Sequence, residues 1–360
     1  MWSVKDGESF ISSIKRKCSE SQSGGKIAEQ NKCGANIVKY RLRRSKVYSF
    51  DEFEIVTKAK IDGVVEGETG KMTSNEEREK GDEMGDIKFS VLMSVYYKES
   101  AEYFNLALSS NLLNQTLIPS EMILVCDGKL TDELEKVINV YQNKCPNILK
   151  VYRLEENVGL GKALNFGLDK CTYEIVARSD SDDVCVENRF EKQLLYISTH
   201  DVDIVSSAID EFACDYSKPF RCKKMPVSHK DIVKMAKFRN PINHMAVMFK
   251  KSVIINAGSY MHLPYVEDYY LWVRAINNGA KLANINDVLV HARVGNGMEN
   301  RRGNKAYISS WKILSQFMLK NKLINRMEYL RNMIFVRLFV YMPIGLKKFV
   351  YRHILRKEST

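Results

Sequence analysis

The 360-residue sequence has no run of about 18 uncharged apolar residues, the length that a membrane-spanning helix needs. Its first residues, MWSVKDGESFISSIKRKC, lack the apolar stretch of a secretory signal. The eight cysteines form no CxxC pair and have no regular spacing, which argues against a zinc ribbon, a redox motif and a secreted disulfide framework. We therefore expect reduced thiols in a cytoplasmic protein.

The sequence does contain enough apolar residues for a folded core, with 45% hydrophobic and 10% aromatic residues. Its net charge is +11, and the excess lies in residues 301–360, where 14 Lys and Arg accompany two acidic residues. There the basic residues alternate with Leu, Ile, Phe and Tyr. This distribution favours an anionic membrane surface over a nucleic-acid groove as the partner.

The C-terminal segment is too interrupted to span a bilayer, because Arg337 and Pro343 break the apolar stretch within residues 326–357. We expect basic amphipathic helices that hold the protein peripherally at the inner face of the cell membrane. Packing of their apolar side against the core of the protein is the alternative.

The chain divides into three parts by composition. Residues 1–86 are rich in Ser, Gly, Lys and Glu with little periodicity, and we expect a mostly disordered leader. From residue 87 to 300, apolar strand-like runs such as FSVLMSVYY and EMILVCDG alternate with helical patterns. This order predicts an α/β domain with a parallel sheet covered by helices on both faces. Residues 301–360 form the basic helical segment.

Carboxylates follow two of the predicted strands, at the ends where such sheets bind ligands. Asp127 follows the second strand, and EIVARSD opens onto Asp180, Asp182 and Asp183. Like charges this close raise one another's pKa unless a cation or a hydrogen-bond array compensates them. Carboxylates at DxD spacing are able to hold one divalent cation together with substrate phosphates. The alternative is a turn whose aspartates cap the helix that follows.

Two other interpretations of these loops fail on single residues. An EF-hand would need an oxygen ligand and a glycine where Val184 and Cys185 stand. ENVGLGKALNFG is neither a P-loop nor a GxGxxG motif, because Glu156, Ala163 and Leu164 occupy required positions.

A second acidic motif, Glu267 and Asp268, precedes a helical pattern about ninety residues further on. A carboxylate beside a metal-diphosphate site is a candidate general base for an acceptor hydroxyl. Favourable placement at a helix N-terminus is the alternative.

Seven segments in their order resemble the family 2 glycosyltransferases of the GT-A fold, in particular bacterial enzymes that build capsule, exopolysaccharide or O-antigen, including amylovoran-type enzymes. They cover roughly residues 88–300. The segments are FSVLMSVYYKE, ILVCDGKLTDELE, ENVGLGKALNFGL, VARSDSDD, NPINHMAVMFKKS, VEDYYLWVRAI and ARVGNGM. The resemblance implies a Rossmann-like, mostly parallel sheet, inversion at the anomeric carbon and Mn²⁺ or Mg²⁺ as cofactor. It also implies a nucleotide-sugar donor, in particular a UDP-sugar, and a glycan or undecaprenyl-diphosphate-linked acceptor.

The resemblance also implies roles for residues of the donor site. Ser94, Tyr96 and Asp127 match positions that line the uridine pocket, where Asp127 accepts a hydrogen bond from the uracil N–H. Lys162 falls in the loop that approaches the nucleotide, with a solvated helix-face lysine as the alternative. The aspartate motif would bind the metal and diphosphate: Asp182 as direct ligand, Asp180 as its DxD partner and Asp183 as a supporting residue.

On the acceptor side, Asp268 matches the catalytic base, with Glu267 beside it. His244 matches a histidine between the donor and acceptor regions, although a hydrogen-bonded core histidine is an equal alternative. Two positions depart from the family pattern. Tyr270 replaces a carboxylate, and Gly295 replaces a histidine that completes the metal shell in many relatives; His291 is not assigned as a ligand.

Two other functions compete with sugar transfer. A nucleotidyltransferase would need a Gly-rich basic loop after the first strand, and SVYYKES supplies none. A catalytically silent nucleotide-sugar-binding protein would keep the fold, and Asp182 and Asp268 argue against it.

Overall fold

The computed structural model describes residues 87–294 and 305–342, all within the compact unit Gly70–Thr360. The predicted leader, Gly295 and Pro343 lie outside the described residues. The six cysteines in the described part are free thiols. Among the described helices, none combines the length and apolar character needed to cross a bilayer.

The first half alternates strands and helices, as the sequence predicts. The elements are β1 (Phe89–Val95), α1 (Ala101–Leu112), β2 (Glu121–Cys126), α2 (Asp132–Lys144), β3 (Leu149–Arg153), α3 (Leu160–Lys170) and β4 (Ile175–Ser179). These strands are parallel and lie in the order β3-β2-β1-β4. Strands β1 and β2 are buried along nearly their whole length, because helices cover both faces of the sheet.

The second half extends the same sheet with strands of mixed direction. The elements are β5 (Val184–Cys185), α4 (Arg189–Thr199), β6 (Ile204–Phe212), β7 (Arg221–Lys223), α5 (His229–Ala236), β8 (Met248–Lys250), α6 (Lys251–Asn256), α7 (Glu267–Asn277) and β9 (Leu282–Arg293). The order continues as β4-β8-β6-β9-β5, with β7 paired to β6. Strand β8 is antiparallel to both neighbours, whereas β6 and β9 are parallel.

The aspartate motif does not cap a helix, so the helix-cap interpretation of its residues is wrong. Val184 and Cys185 form strand β5 and pair with His291 and Val290 of β9. Helix α4 begins only at Arg189. The aspartates therefore occupy a loop between two strands of one sheet, held at both ends by strand pairing.

Helices on the two faces of the sheet bury separate apolar clusters, which confirms the predicted layers. One cluster joins β1 and β2 to α1, α2 and α4, for example through Met93, Phe104 and Phe190. The other joins the opposite strand face to α3, α5, α6 and α7, for example through Leu92 and Trp272. Alternate strand residues enter opposite clusters, as the pleat requires.

The C-terminal helices α8 (Lys305–Lys320) and α9 (Arg326–Tyr341) pack on α7 and on the loop before it. Trp311, Leu314 and Val336 enter one cluster with Tyr269 and Val273. Helix α9 begins with a capping box between Asn325 and Glu328, which satisfies two N-terminal backbone donors. One side of the α8–α9 pair therefore belongs to the buried core of the protein.

Tyr270, which departs from the family pattern, has a packing role. Its ring lies 5.4 Å from that of Phe317 on α8, and the Arg274 guanidinium stacks 4.7 Å from its centroid. A carboxylate here would lose the ring contact with Phe317 on α8.

Helix α3 approaches the sheet closely at Gly167, and we predict that Gly167→Ala destabilises the protein. An added methyl group would overlap Leu92 Cδ1 and lie 2.7 Å from Val125 Cγ2. We expect a loss of about 1–3 kcal/mol in unfolding free energy, because overpacking outweighs the better helix propensity of alanine. Gly161→Ala in the same helix is the matched control, since its methyl group would meet nothing closer than 3.6 Å. Urea unfolding that shows equal stability for the two variants would contradict the prediction.

Candidate functional site

The predicted donor-site residues lie at one edge of the sheet. Strands β1, β2 and β4 are parallel neighbours and end at Val95, Cys126 and Ser179. The residues that follow them therefore gather at the same edge, where α/β sheets bind ligands. Ser94 is half-buried near the end of β1, and Tyr96, just beyond it, is 39% exposed.

Three carboxylates meet in the loop after β4. Asp180, Asp182 and Asp183 each offer one oxygen, and these oxygens lie within 4.8 Å of one another. Asp180 forms a two-pronged ion pair with the buried Arg178, whose Nη1 lies 2.7 Å from Oδ2 while Nη2 donates to Oδ1. Asp183 is buried and accepts a hydrogen bond of 2.7 Å from the backbone N–H of Arg293.

Asp182 differs from its two neighbours. Within residues 87–294 and 305–342, no other residue hydrogen-bonds or ion-pairs with its carboxylate, through either a side chain or the backbone. Burial, together with the charges of Asp180 and Glu99, raises the pKa of Asp182 to about 7. Burial and its two aspartate neighbours hold the pKa of Asp183 well above its usual range. The cluster therefore retains protons near neutral pH, and a cation that binds it must displace them.

Glu99 was not among the residues predicted from the sequence, although it stands four residues after β1. It accepts a hydrogen bond of 2.9 Å from Ser181 Oγ and another of 2.8 Å from the backbone of Ser100. Its charge acts on Asp182. The available signal was its position just past the carboxyl end of a buried strand.

Two buried arginines anchor the aspartate loop, and neither was predicted. Arg189 is fully buried and donates to Ser179 Oγ at 2.9 Å and to Cys185 Sγ at 3.0 Å, so it joins β4 to β5 on either side of the loop. Arg293 at the end of β9 donates to the Asp182 carbonyl at 3.2 Å. Its guanidinium lies 3.6 Å from the ring centroid of Tyr103. The sequence offers little signal for them, because arginine side chains are usually exposed to solvent and an isolated arginine gives no sign of being buried.

Asp127 links the end of β2 to the loop before α3. Its carboxylate is buried and accepts hydrogen bonds from the backbone N–H groups of Val158 at 2.7 Å and Gly159 at 3.1 Å. A carboxylate has about four acceptor positions, so these bonds leave room for the uracil contact, which stays a prediction. Gly128 has φ +85°, and a side chain there would lie 2.8 Å from the backbone N of Asn157. Lys162 is exposed in the first turn of α3.

Glu267 and Asp268 lie in the first turn of α7, where the helix dipole favours negative charge. Asn240 donates a hydrogen bond of 2.7 Å to Asp268 Oδ2. Glu267 lies 3.4 Å from His262 Nδ1, and burial raises the pKa of Glu267. The Glu267 carboxylate also stands beside Gly161 in the first turn of α3, because a methyl group on Gly161 would lie 3.8 Å from Oε1.

Tyr260 lies near charged groups of both acidic motifs. The charges of Arg178, Asp268 and Asp180 all act on its buried hydroxyl, and burial raises the pKa of Tyr260. The hydroxyl and His244 Nε2 form a hydrogen bond of 2.8 Å. Burial keeps the pKa of His244 well below its usual value, and its ring packs against Trp272 at 5.9 Å. His244 is therefore a half-buried histidine held by a hydrogen bond to Tyr260, and its contact with a diphosphate or an acceptor stays a prediction.

Comparisons with known proteins identify related glycosyltransferases. The family model "Glycosyl transferase family 2" matches residues 90–255, which include the aspartate loop and end before α7. Amylovoran biosynthesis glycosyltransferase AmsE of Erwinia amylovora is 45% identical over 223 residues, which are 62% of this chain and 82% of that protein. A UDP-Gal:alpha-D-GlcNAc-diphosphoundecaprenol beta-1,3-galactosyltransferase of Escherichia coli is 39% identical over 273 residues, which are 75% of this chain and 97% of that protein.

Among solved structures, S. aureus TarS 1–349 in complex with UDP-GlcNAc has a TM-score of 0.54 at 19% identity, covering 75% of this chain and 77% of that one. This likeness confirms the fold, a GT-A type sheet with helices on both faces. The Erwinia amylovora relative carries the assignment, because the match combines 45% identity with 82% of that protein's length. The chain therefore belongs to glycosyltransferase family 2 and is a glycosyltransferase.

Proposed function

We propose that the enzyme transfers a hexose from a UDP-sugar to the sugar of a polyprenyl-diphosphate acceptor, with inversion at the anomeric carbon, during synthesis of a surface polysaccharide. The observation that carries this proposal is the acidic cluster, in which no other described residue hydrogen-bonds or ion-pairs with the Asp182 carboxylate. The name of the E. coli relative supports the choice of donor and acceptor class. A lipid-linked acceptor agrees with peripheral attachment to the inner membrane face.

The donor would lie along the edge where β1, β2 and β4 end. Ser94 and the exposed ring of Tyr96 would line the nucleoside position, together with Asp127, which already orders the loop before α3. Lys162 lies in the first turn of α3 and is exposed to solvent, so its ammonium group is able to contact a phosphate or ribose oxygen. These contacts would place the diphosphate over the aspartate loop.

The carboxylate set fits a divalent cation. Hard oxygen ligands are those that Mg²⁺ and Mn²⁺ prefer, and three of them converge here. Asp182 would hold the ion with Asp180, which shares its charge with Arg178, while Asp183 and Glu99 add negative charge nearby. When bound, such a cation neutralises the charge that develops on the departing nucleoside diphosphate.

Asp268 would act as the general base. Asn240 donates to Oδ2 and so orients the carboxylate, and Oδ1 is left to accept the proton of the acceptor hydroxyl. Attack from the Asp268 side, with the leaving group held at the aspartate loop, inverts the anomeric centre. Glu267, with its raised pKa, would stand beside the acceptor.

The experiment that tests the proposal is a panel of UDP-sugars with Mn²⁺ or Mg²⁺ and a GlcNAc α-diphosphate carried on a short alkyl chain. We expect acceptor-dependent release of UDP with at least one donor, and an NMR coupling constant in the product that shows the inverted anomer. Release of UDP that needs no metal, or a product with retained configuration, would refute the mechanism. Nucleotide binding without any turnover would favour the silent binding protein.

Asn substitutions of the two acidic motifs should fail in different ways. Asp182→Asn should weaken both UDP affinity in the presence of Mn²⁺ and the transfer rate, because the diphosphate loses its metal contact. Asp268→Asn should keep UDP affinity and lose about 10²- to 10⁴-fold in rate, since only the proton acceptor is removed. Calorimetry and UDP release measure the two quantities. Asp169→Asn, an exposed substitution at the far end of α3, is the control and should change neither.

The raised pKa of Asp182 predicts a stability that depends on pH when no metal is present. The pKa is about 7 in the folded protein and 3.8 ordinarily, so the folded state keeps a proton that the unfolded state has lost. Unfolding free energy should therefore fall as pH rises from about 4 to about 7. In EDTA, the wild type should lose more thermal stability between pH 5 and pH 8 than Asp182→Asn, whose amide does not titrate. Parallel pH profiles for the two proteins would mean that the Asp182 pKa is not raised.

A further inference from the structure

Helix α9 exposes a continuous apolar surface on the side away from the core. Its six large side chains, named here the outer stripe, are 48–73% exposed and follow helical spacing. They are Met327, Leu330, Ile334, Phe335, Leu338 and Tyr341. The opposite side of the helix is buried through Met333, Val336 and Val340. Single exposed apolar residues are ordinary, whereas a contiguous row of six marks an interaction surface.

The surroundings of the outer stripe are basic. Between residues 305 and 342 the sequence has seven Lys and Arg and one acidic residue, Glu328. Glu328 is already engaged, because it completes the capping box of α9 and pairs with Lys237 at 3.4 Å. Arg331 lies among the stripe residues and Arg337 beside them. The combination of an apolar row and uncompensated positive charge matches the interface of an anionic bilayer.

A basic cleft lies at the N-terminal end of the outer stripe. This cleft has a volume of about 440 Å³ and is lined by Lys237, Lys322, Arg326 and Glu328 together with apolar residues of the turn between α8 and α9. Arg326 directly precedes Met327, the first residue of the stripe. A lipid whose acyl chains contact the stripe would therefore bring its phosphate to cationic side chains.

The same helix pair is joined to the catalytic helix. Trp311 on α8 packs 5.5 Å from Tyr269 on α7, and Tyr269 follows Asp268 directly. Asn332 on α9 donates to the Lys237 carbonyl at 2.7 Å, and Asn240, three residues further on, holds Asp268. A surface bound through α9 is thereby held at a set distance from the predicted base.

We propose that the outer stripe of α9 and the basic cleft beside it form the surface by which this enzyme binds an anionic lipid bilayer. The apolar side chains enter the interfacial region, and the cations of the cleft contact lipid phosphates. The inference rests on the proposed function only in that a lipid-linked acceptor requires the enzyme to work at a membrane. It assigns that contact to particular residues, which the composition of the C-terminal segment does not.

The test uses the full chain and sedimentation with vesicles of phosphatidylglycerol and phosphatidylcholine, or of phosphatidylcholine alone. Phe335→Gln/Leu338→Gln removes exposed apolar groups without touching the core, and we expect about a tenfold or greater loss of binding to the anionic vesicles. Val140→Gln/Leu195→Gln, at positions 46% and 39% exposed on α2 and α4, is the matched control and should bind as the wild type does.

A second pair of variants tests the cleft. Lys322→Gln/Arg326→Gln should weaken binding to anionic vesicles and make it less sensitive to salt, because fewer cations contact lipid phosphate. Lys129→Gln/Lys136→Gln, at exposed positions outside the helix pair, removes the same charge and should have little effect. Equal binding of the wild type to neutral and anionic vesicles would overturn the role of the cleft.

Further outcomes would overturn the proposal. If Phe335→Gln/Leu338→Gln converts a dimer into a monomer in sedimentation velocity, the stripe is an interface between two copies. If that variant binds vesicles normally but melts at a lower temperature, the stripe packs against another part of the chain and not against lipid. All variants should keep their transfer rate to the short-chain acceptor, so a wild type without transfer contradicts the proposed function while vesicle binding still reports on α9.

Discussion

Compensation of negative charge in the loop after β4 is the constraint on which the site depends. Three carboxylates within 4.8 Å cannot all remain charged and buried without cationic or hydrogen-bonding partners. Arg178 neutralises Asp180, and Arg293 supplies a backbone donor to Asp183. Arg189 has no carboxylate partner among the described residues, and its buried charge adds to the positive field behind the loop. Among the described residues, no other group hydrogen-bonds or ion-pairs with the Asp182 carboxylate, which is therefore able to take a ligand from solution.

The position of α7 connects this loop with the C-terminal helices. On one side α7 contributes Trp272 to the cluster under the sheet, and on the other it contributes Tyr269 and Val273 to the cluster with α8 and α9. Its first turn carries the predicted base. Tyr270, where many relatives have a carboxylate, packs against α8 in this chain. The predicted base and the residues that attach the helix pair are therefore neighbours on one helix, and changes in either are expected to affect the other.

Tyr260 lies close enough to both acidic motifs for the charges of Asp180 and Asp268 to act on its hydroxyl. Its hydroxyl bonds to a neutral His244 and experiences the charges of Arg178 and Asp268. A buried polar pair of this kind keeps its geometry because both members lose a hydrogen bond if they separate. Tyr260 therefore keeps a fixed position near charged groups of both motifs. Fixed positions suit a displacement reaction that needs the acceptor and the leaving group on opposite sides of one carbon.

The sequence by itself determined the parallel βα order of residues 89–179, because strands with continuous apolar runs are buried on both faces whatever their neighbours are. It also determined that acidic residues follow the ends of those strands. Only the tertiary structure decided that Val184 and Cys185 form a strand, that β8 enters the sheet antiparallel, and that the carboxylate of Asp182, alone of the three aspartates, has no hydrogen bond or ion pair with another described residue. These features rest on contacts such as Arg293 with Asp183, which lie 110 positions apart, and local propensity carries no information about partners so distant.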